Sequence, residues 1–212
     1  MKPYLRYIKN VRKIPIPQVK FVAELTKKME YVVEEYVVDA YINEFKDIDK
    51  SEYAEYHSAL YAIVRVTKPN IIVETGVFEG AGSCAILLAL ERNDKGRLYS
   101  IDLPSTRIPL DKKAGWRIPH HLRKRWRFIE GKSSEKLPQL LDTFRHIDIF
   151  LHDSEHSYEN MLFEYKTAWE HIRDGGLLLS HDITRNKAFR NFAIAHNKEY
   201  FYMMHNLAGL RK

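Results

Sequence analysis

Cysteine is scarce in this sequence, and its scarcity excludes two kinds of site. Among 212 residues there is one cysteine, Cys84. A single cysteine can form neither an intramolecular disulfide nor a cysteine-based zinc site. The chain therefore has to be stabilised by an apolar core, for which its length is sufficient, and we expect it to work in a reducing compartment.

Long apolar runs are also missing. No run approaches the roughly 20 residues that a membrane span requires, and residues 1–13 lack the apolar stretch of a secretory signal. We therefore expect a cytoplasmic protein with no membrane partner. Hydrophobic residues make up 45% and charged residues 29% of the chain, which is typical of a folded globular protein and not of a disordered one.

Positive charge is in modest excess. The formal net charge is +6, and part of the excess lies in "HHLRKRWR", residues 120–127. Such a run is more often a solvated face than a nucleic-acid footprint, so the charge does not favour a nucleic-acid partner. Binding of an anionic substrate remains an alternative role for this basic run.

The N-terminal part has the periodicity of helices. Residues 18–46 repeat apolar side chains at close to a 3.6-residue spacing, which predicts one amphipathic helix or a broken pair. A second helix is predicted to begin at Ser51 and to end before Pro69. We interpret residues 1–68 as a helical extension packed on the core. The pattern does not distinguish this packing from a contact within a homo-oligomer.

From residue 70 onwards, short apolar runs alternate with helical segments. The runs are "NIIVETG", "GRLYSID", "RWRFIEG", "IDIFLH" and "GGLLLSHD". This order predicts an α/β fold with a doubly wound, mostly parallel sheet over residues 69–212, and continuous apolarity indicates strands covered on both faces. The tail "EYFYMMHNLAGLRK" predicts an antiparallel C-terminal hairpin that turns around Asn206.

A glycine-rich loop follows the first predicted strand. It contains Gly76, Gly80 and Gly82. Glycines at a strand-to-helix turn permit the close approach of a ligand to the backbone, and Asp102 ends the next strand, where an acid can hold ribose hydroxyls. The spacing differs from the dinucleotide fingerprint, and Glu74 favours a cationic ligand. The alternative is that the glycines serve packing and that Asp102 caps a turn.

These motifs, together with "FIEGKSSEKLP" and "IDIFLHDSEHSYENMLFEYKTAWEHIRDGGLLLSHDI", resemble class I methyltransferases that use S-adenosylmethionine. The resemblance extends over about residues 60–195. More narrowly, the chain is similar to the metal-dependent small-molecule O-methyltransferases, including those acting on macrolide sugars. The resemblance implies a Rossmann-like fold with S-adenosyl-L-methionine as its cofactor.

The resemblance also implies which residues contact the cofactor. Glu74 and the turn at residues 76–82 would face the methionine portion, and Asp102 the ribose. The segment at residues 131–133 matches the place where the family holds the adenine, although Lys132 departs from the acid often found there. The implied set is Glu74, Gly76, Phe78, Gly80, Gly82, Ser83, Asp102, Gly131, Lys132 and Ser133.

A second group of polar residues ends two further strands. Asp153 ends the fourth predicted strand, and His181 and Asp182 end the fifth. Because the carboxyl ends of parallel strands open on the same edge, we expect these side chains to converge on Mg²⁺ or a similar divalent cation. The related family has an acid pair or an acid-amide pair where His181 and Asp182 stand here. Asn186 is a further candidate to contact the metal or the substrate.

His156 is the candidate catalytic base, acting together with Asp153. A bound cation lowers the pKa of an acceptor hydroxyl, and an imidazole three positions beyond Asp153 can accept the proton near neutral pH. The alternative is that the histidines of this region are only hydrogen-bonded partners. Asp153 or Ser157 can likewise be explained as a cap of the next helix.

Three functions compete at this point. The first is methyl transfer from S-adenosylmethionine to a hydroxyl of a small molecule, such as a sugar or a diol. The second is an RNA or ribose methyltransferase that uses the basic run; "HDSEHSY" lacks the prolines of the Asn/Asp-Pro-Pro-Tyr loop, which counts against base N-methylation. The third is a module that binds S-adenosylmethionine without catalysis.

Overall fold

The computed structural model describes residues 16–40, 54–104, 108–109, 111–203 and 207–212. Three sequence predictions fall outside these ranges: the last part of the first predicted helix, the helix start at Ser51 and the hairpin turn at Asn206. Within the described ranges, no helix combines the length and the apolarity needed to cross a membrane.

In the described residues, three helices precede the first strand. They are α1 (Ile16–Thr26), α2 (Glu30–Asp39) and α3 (Ala54–Thr67). The first two are the broken pair that the periodicity allowed, and the break coincides with Lys27, whose φ is +57°. A left-handed residue cannot continue a right-handed helix, so α1 ends there. The third helix ends before Pro69, as predicted.

Strands and helices then alternate along the chain. The strands are β1 (Ile71–Thr75), β2 (Arg97–Asp102), β3 (Trp126–Glu130), β4 (Ile147–His152), β5 (Ile172–Ser180), β6 (Tyr200–Tyr202) and β7 (Ala208–Arg211). The helices are α4 (Ala81–Arg92), α5 (Ser133–Leu141), α6 (Tyr158–His171) and α7 (Ala188–Ala195), and a 3-10 helix covers His120–Arg125.

The strands form one seven-stranded sheet in the order β3-β2-β1-β4-β5-β7-β6. The first five strands are parallel to one another, while β7 pairs antiparallel with both β5 and β6. The predicted doubly wound sheet and its C-terminal antiparallel hairpin are therefore confirmed. The strand order reverses between β1 and β4, and ligands of open α/β sheets bind at the carboxyl ends of the strands beside such a reversal.

Apolar cores cover both faces of the sheet. On one face, helices α1 to α4 pack against side chains such as Ile72, Ile149 and Leu177. On the other face, helices α5 to α7 pack against side chains such as Phe150 and Leu178. Burial on both faces explains why the central strands are continuously apolar.

Candidate functional site

The carboxyl ends of the central strands are held together by backbone hydrogen bonds. The Gly76 N–H donates to the Ile101 carbonyl at 2.9 Å, and the Asp153 N–H donates to the Thr75 carbonyl at 2.8 Å. The loops after β1, β2 and β4 therefore leave the sheet in fixed relative positions. This edge carries both groups of predicted site residues.

A cavity of about 500 Å³ opens at this edge. Its lining includes six of the predicted cofactor residues, and Asp153 also belongs to it: Gly76, Phe78, Asp102, Gly131, Lys132, Ser133 and Asp153. The volume lies within the range of about 300–1,000 Å³ that is usual for small-molecule sites. The structure thus brings these predicted residues together around one space that fits a ligand.

Asp102 borders the cavity and also caps the glycine-rich loop. Its Oδ2 accepts hydrogen bonds from the Val77 and Phe78 N–H groups, both at 2.8 Å, and its Oδ1 accepts from the Leu103 N–H at 2.8 Å. Asp102 therefore does cap a turn, as the alternative interpretation of this residue predicted. An ionised carboxylate has about four lone-pair sites, so it retains capacity for a ligand hydroxyl.

Glu74 is not among the residues that line the cavity. Its carboxylate is buried and accepts hydrogen bonds from the Ser83 and Ser100 hydroxyls, the second at 2.6 Å. Burial raises the pKa of Glu74 to about 7, although both hydroxyls oppose the rise. Glu74 and Ser83 thus lie behind the glycine-rich loop, and their contact with a cofactor stays a prediction.

Gly80 and Gly82 do not line the cavity either. Gly80 precedes α4 with a φ of +93°, and a Cβ there would lie 2.8 Å from the Gly115 Cα. At Gly82 a Cβ would lie 3.6 Å from the Tyr56 ring. The structure thus requires glycine for packing at Gly80 but not at Gly82, and a contact with the cofactor stays a prediction for both.

Beside the cavity, an acid-histidine cluster is formed by Asp153, His156, His181 and Asp182. Ligand atoms of the first three lie within 4.8 Å of one another. Asp153 Oδ1 lies 3.0 Å from His181 Nδ1 and 3.8 Å from His156 Nε2. The predicted convergence of Asp153 and His181 is therefore found in the structure, but the third member of this group is His156 and not the predicted Asp182.

Asp182 completes this cluster from the end of β5. Its Oδ1 lies 3.8 Å from His181 Nδ1, and its Oδ2 lies 3.9 Å from His156 Nε2. Burial favours the neutral form, but the charge of His181 and a hydrogen bond from Arg185 hold the pKa of Asp182 below its ordinary value. Asp182 is thus an anion near neutral pH, as a ligand of a hard cation must be.

His156 has the properties of a proton acceptor. Its Nε2 is buried and has no hydrogen-bond partner in the part of the chain that the structure describes. Burial and the neighbouring His152 lower the pKa of His156, so its ring is neutral at pH 7. An unpaired, buried nitrogen facing two carboxylates is a polar atom that a ligand or a metal would satisfy.

His181 differs from His156 in its electrostatics. Burial alone would lower its pKa, but the hydrogen bond to Asp153 and the charges of Asp153 and Asp182 raise it above the ordinary value. The Asp153 carboxylate therefore favours the protonated form of His181 when no cation is bound. A divalent cation would replace the proton on the imidazole, because metal ligands bind in their deprotonated form.

Asn186 is used inside the protein. Its Nδ2 donates to the His156 carbonyl at 3.0 Å, and its Oδ1 accepts from the Ala188 N–H at 2.7 Å. The side chain thus ties the loop that carries His156 to the start of α7. A direct contact between Asn186 and the metal or the substrate stays a prediction.

Two site residues were missed by the sequence reasoning, and Tyr56 is the first. Its hydroxyl donates to Asp153 Oδ2 at 3.2 Å, and its ring centroid lies 4.7 Å from that of His181. Burial and the nearby Asp153 raise the pKa of Tyr56 well above its ordinary value, so the phenol remains a donor. A tyrosine in an apolar helical pattern carries no sequence signal for such a contact.

Glu164 is the second, and it lies under the site on α6. It accepts from the Thr75 hydroxyl at 2.5 Å and from the Ser154 hydroxyl at 2.7 Å, while His152 Nδ1 lies 2.6 Å from it. This fully buried acid joins β1, β4 and the loop after β4. The sequence does carry a signal for Glu164: it is an acid on the apolar face of α6, next to Tyr165, where an unpaired charge would not be tolerated.

Part of the basic run is paired within the protein. Glu91 accepts from Lys124 Nζ at 2.8 Å and from Arg125 Nε at 3.0 Å. Arg123 donates to the carbonyls of Gly115 and Ile118. These three cations therefore stabilise the segment around the 3-10 helix.

Comparisons with known proteins agree with this geometry. Residues 73–183 match the family described as "Methyltransferase domain". No curated protein sequence matches the chain. The matched range extends from β1 through the end of β5 and so contains the glycine-rich loop and the acid-histidine cluster.

Solved structures of methyltransferases share the fold. An O-methyltransferase from Bacillus cereus in complex with S-adenosylhomocysteine (SAH) is 12% identical, with a TM-score of 0.58 over 91% of this chain and 96% of that chain. TomG, an O-methyltransferase from Streptomyces achromogenes in complex with S-adenosylmethionine (SAM), is 15% identical, with a TM-score of 0.59 over 95% and 98%.

A third similar structure contains a metal and a substrate. MycE, a methyltransferase from the mycinamycin biosynthetic pathway, is in complex with Mg, SAH and mycinamycin VI. It is 14% identical, with a TM-score of 0.53, and the match covers 84% of this chain but 53% of MycE. At these identities the likeness concerns the fold.

Proposed function

The chain belongs to the methyltransferase-domain family, and from this premise we propose that it transfers a methyl group from SAM to a hydroxyl of a small molecule, with the assistance of a divalent metal ion. We propose a sugar or a diol-like molecule as the acceptor. The observation that carries the proposal is that the cavity and the acid-histidine cluster meet at Asp153. A ligand in the cavity and a cation in the cluster would therefore be neighbours.

The cavity residues fit SAM, which when bound supplies the methyl group. The positive φ of Gly76 and the absence of a side chain there bring the loop backbone to the edge of the cavity. Asp102 offers acceptor capacity for ribose hydroxyls, and residues 131–133 close the other side. These groups would bind and orient the cofactor, and orientation is a large part of catalysis in a displacement reaction.

The acid-histidine cluster fits a divalent cation, which when bound lowers the pKa of an acceptor hydroxyl. Asp153, Asp182 and His181 would hold it. The two carboxylates suit Mg²⁺ or a similar ion such as Mn²⁺, because these hard cations prefer oxygen ligands. The unpaired Nε2 of His156 is left to accept the hydroxyl proton, and Asn186 fixes the backbone of His156 through its carbonyl.

Calorimetric titration with SAH tests the cofactor part. The wild-type protein is expected to bind SAH, and Asp102→Ala is expected to bind it at least about 10-fold more weakly, since the substitution removes a charge-assisted acceptor and the cap of the loop. Asp174→Ala, which changes an exposed aspartate remote from this edge, is the matched control and should leave the affinity unchanged. A wild-type protein that binds no SAH would refute the proposal.

Turnover with a panel of methyl glycosides and catechols tests the metal part. We expect formation of SAH from SAM to require a divalent ion, to stop on chelation and to return when Mg²⁺ or Mn²⁺ is restored. Asp153→Ala should abolish the ion dependence together with turnover. Turnover that persists in excess chelator would show that the cluster acts without a metal.

We also propose that residues 1–68 form a helical extension packed on a methyltransferase domain of residues 69–212. The shared core cluster supports the packing of this extension on the domain, because residues of α1, α2 and α3 pack with residues of α4 and of the sheet. The hydrogen bond from Tyr56 to Asp153 supports a contact between the extension and the site.

A further inference from the structure

Tyr56 comes from outside the part of the chain that matches the family. It lies on α3, before the matched residues 73–183, and is 3% exposed. It does not line the cofactor cavity. Its contacts with the acid-histidine cluster therefore call for an explanation other than cofactor binding.

The two carboxylate oxygens of Asp153 have different partners, and the Tyr56 hydroxyl is the partner of one of them. It donates to Oδ2 at 3.2 Å, while Oδ1 lies 3.0 Å from His181 Nδ1 and 3.8 Å from His156 Nε2. A carboxylate with a donor on one oxygen is restrained about its terminal torsion, which is otherwise broad. Oδ1 is thereby held towards the two imidazoles.

The ring of Tyr56 has a second contact within the cluster. It packs against His181 with a centroid separation of 4.7 Å and an interplanar angle of 48°. It also meets the first turn of α4, where a Cβ at Gly82 would lie 3.6 Å from it. The ring thus contacts both α4 and His181, and one side chain restrains two of the groups that would bind a cation.

From these contacts we propose that Tyr56 is a positioning residue for the divalent-ion site: its hydroxyl fixes the rotation of Asp153, and its ring fixes the imidazole of His181. This role rests on the metal assistance in the proposed function. Outer partners that orient metal ligands commonly contribute about 10- to 100-fold in metal affinity. The helical extension would then complete the ion site.

The test compares two tyrosine-to-phenylalanine substitutions on the same helix. Tyr56→Phe removes the hydroxyl but keeps the ring against His181. Tyr61→Phe is the matched control, because Tyr61 is also buried and its hydroxyl also donates to a carboxylate, that of Asp39, at 2.5 Å. Binding of Mn²⁺ would be followed by calorimetry and by its electron paramagnetic resonance signal, and binding of SAH would be measured on the same samples.

We expect Tyr56→Phe to bind Mn²⁺ about 10- to 100-fold more weakly than wild type and to bind SAH within about twofold of it. Tyr61→Phe should match wild type in both. Equal Mn²⁺ affinity in wild type and Tyr56→Phe would overturn this role alone. Loss of Mn²⁺ and SAH binding together would assign Tyr56 to core packing, and it would also overturn the positioning role. A wild-type protein that binds SAH but no Mn²⁺ would overturn both the role and metal assistance.

Discussion

The backbone of Gly76 lies against the backbone of Asp153 so closely that a Cβ at position 76 would be 2.0 Å from the Asp153 carbonyl oxygen. The loop after β1 and the end of β4 thus touch through their main chains. This contact places the glycine-rich loop beside the carboxylate of the acid-histidine cluster. The distance between the glycine-rich loop and the acid-histidine cluster therefore depends on the absence of a side chain at Gly76.

Gly76→Ala should therefore be far more damaging than Gly82→Ala. Alanine at position 76 would meet a backbone atom and hold a φ of +87°, so we expect a loss on the order of 3 kcal/mol in the free energy of unfolding and at least about tenfold weaker SAH binding. At Gly82 the nearest atom is at 3.6 Å, so alanine should change stability by less than about 1 kcal/mol. Thermal denaturation and calorimetry distinguish the two. Equal behaviour of both variants would contradict the close approach.

His156→Gln should separate proton transfer from cofactor binding. The substitution removes the unpaired Nε2 but keeps a polar side chain, and general-base catalysis typically contributes about 10²–10⁴-fold in rate. We expect turnover to fall within that range while SAH affinity stays unchanged. His121→Gln, at an exposed histidine, is the control and should retain full turnover. Full turnover in His156→Gln would exclude His156 as the base.

The buried Glu164 should make the protein sensitive to acid. Burial alone would raise its pKa, but the hydrogen bond and charge of His152, with the hydroxyls of Ser133 and Thr75, hold the pKa of Glu164 below its ordinary value. A lowered pKa in the folded state means that the stabilisation is present above the unfolded pKa of about 4.3 and is lost as the pH falls through the folded pKa. Unfolding in urea at a series of pH values measures this loss.

Glu164→Gln should remove that acid-dependent part and lower the stability at pH 7 by about 3–5 kcal/mol, since it breaks a buried charged network. Glu159→Gln changes an exposed glutamate on the same helix and should have little effect at any pH. If both variants lose stability in acid as wild type does, Glu164 is not the group responsible.

Asp148 should matter for stability and not for the site. It lies at the opposite end of the sheet, where Oδ2 accepts from the Asn70 and Ile71 N–H groups at 2.7 and 2.9 Å, and Oδ1 accepts from Arg173 at 2.7 Å. Asp148→Ala leaves these donors unpaired, and we expect a loss of about 2–3 kcal/mol. SAH affinity of the folded variant should equal that of wild type; a weaker affinity would mean that the two ends of the sheet are coupled.

Much of this architecture was predictable from local patterns. Continuous apolar runs between helical segments predicted the parallel strands, because a strand covered on both faces cannot carry alternating polar residues. The same topology predicted that Asp153 and Asp182 would converge, since parallel strands open their carboxyl ends on one edge. Those two inferences needed chain order and residue type alone.

The direction of individual side chains was not predictable in this way. Glu74 accepts hydrogen bonds from Ser83 and Ser100, two partners that the sequence pattern did not indicate, and its expected contact with the cofactor stays a prediction. On a strand buried on both faces, the pattern does not say which side a polar residue takes or which hydroxyl will satisfy it. That choice depends on helices packed against the sheet, which local sequence does not describe.

The sequence by itself thus determined the fold class, the position of the glycine-rich loop and the edge at which the acids and histidines gather. Only the tertiary structure decided the partners: Tyr56 reaches Asp153 across 97 positions of the chain, and Glu164 reaches Thr75 across 89. The physical reason is that helical and strand periods specify which residues are buried, whereas the packing of distant elements specifies which buried polar groups meet.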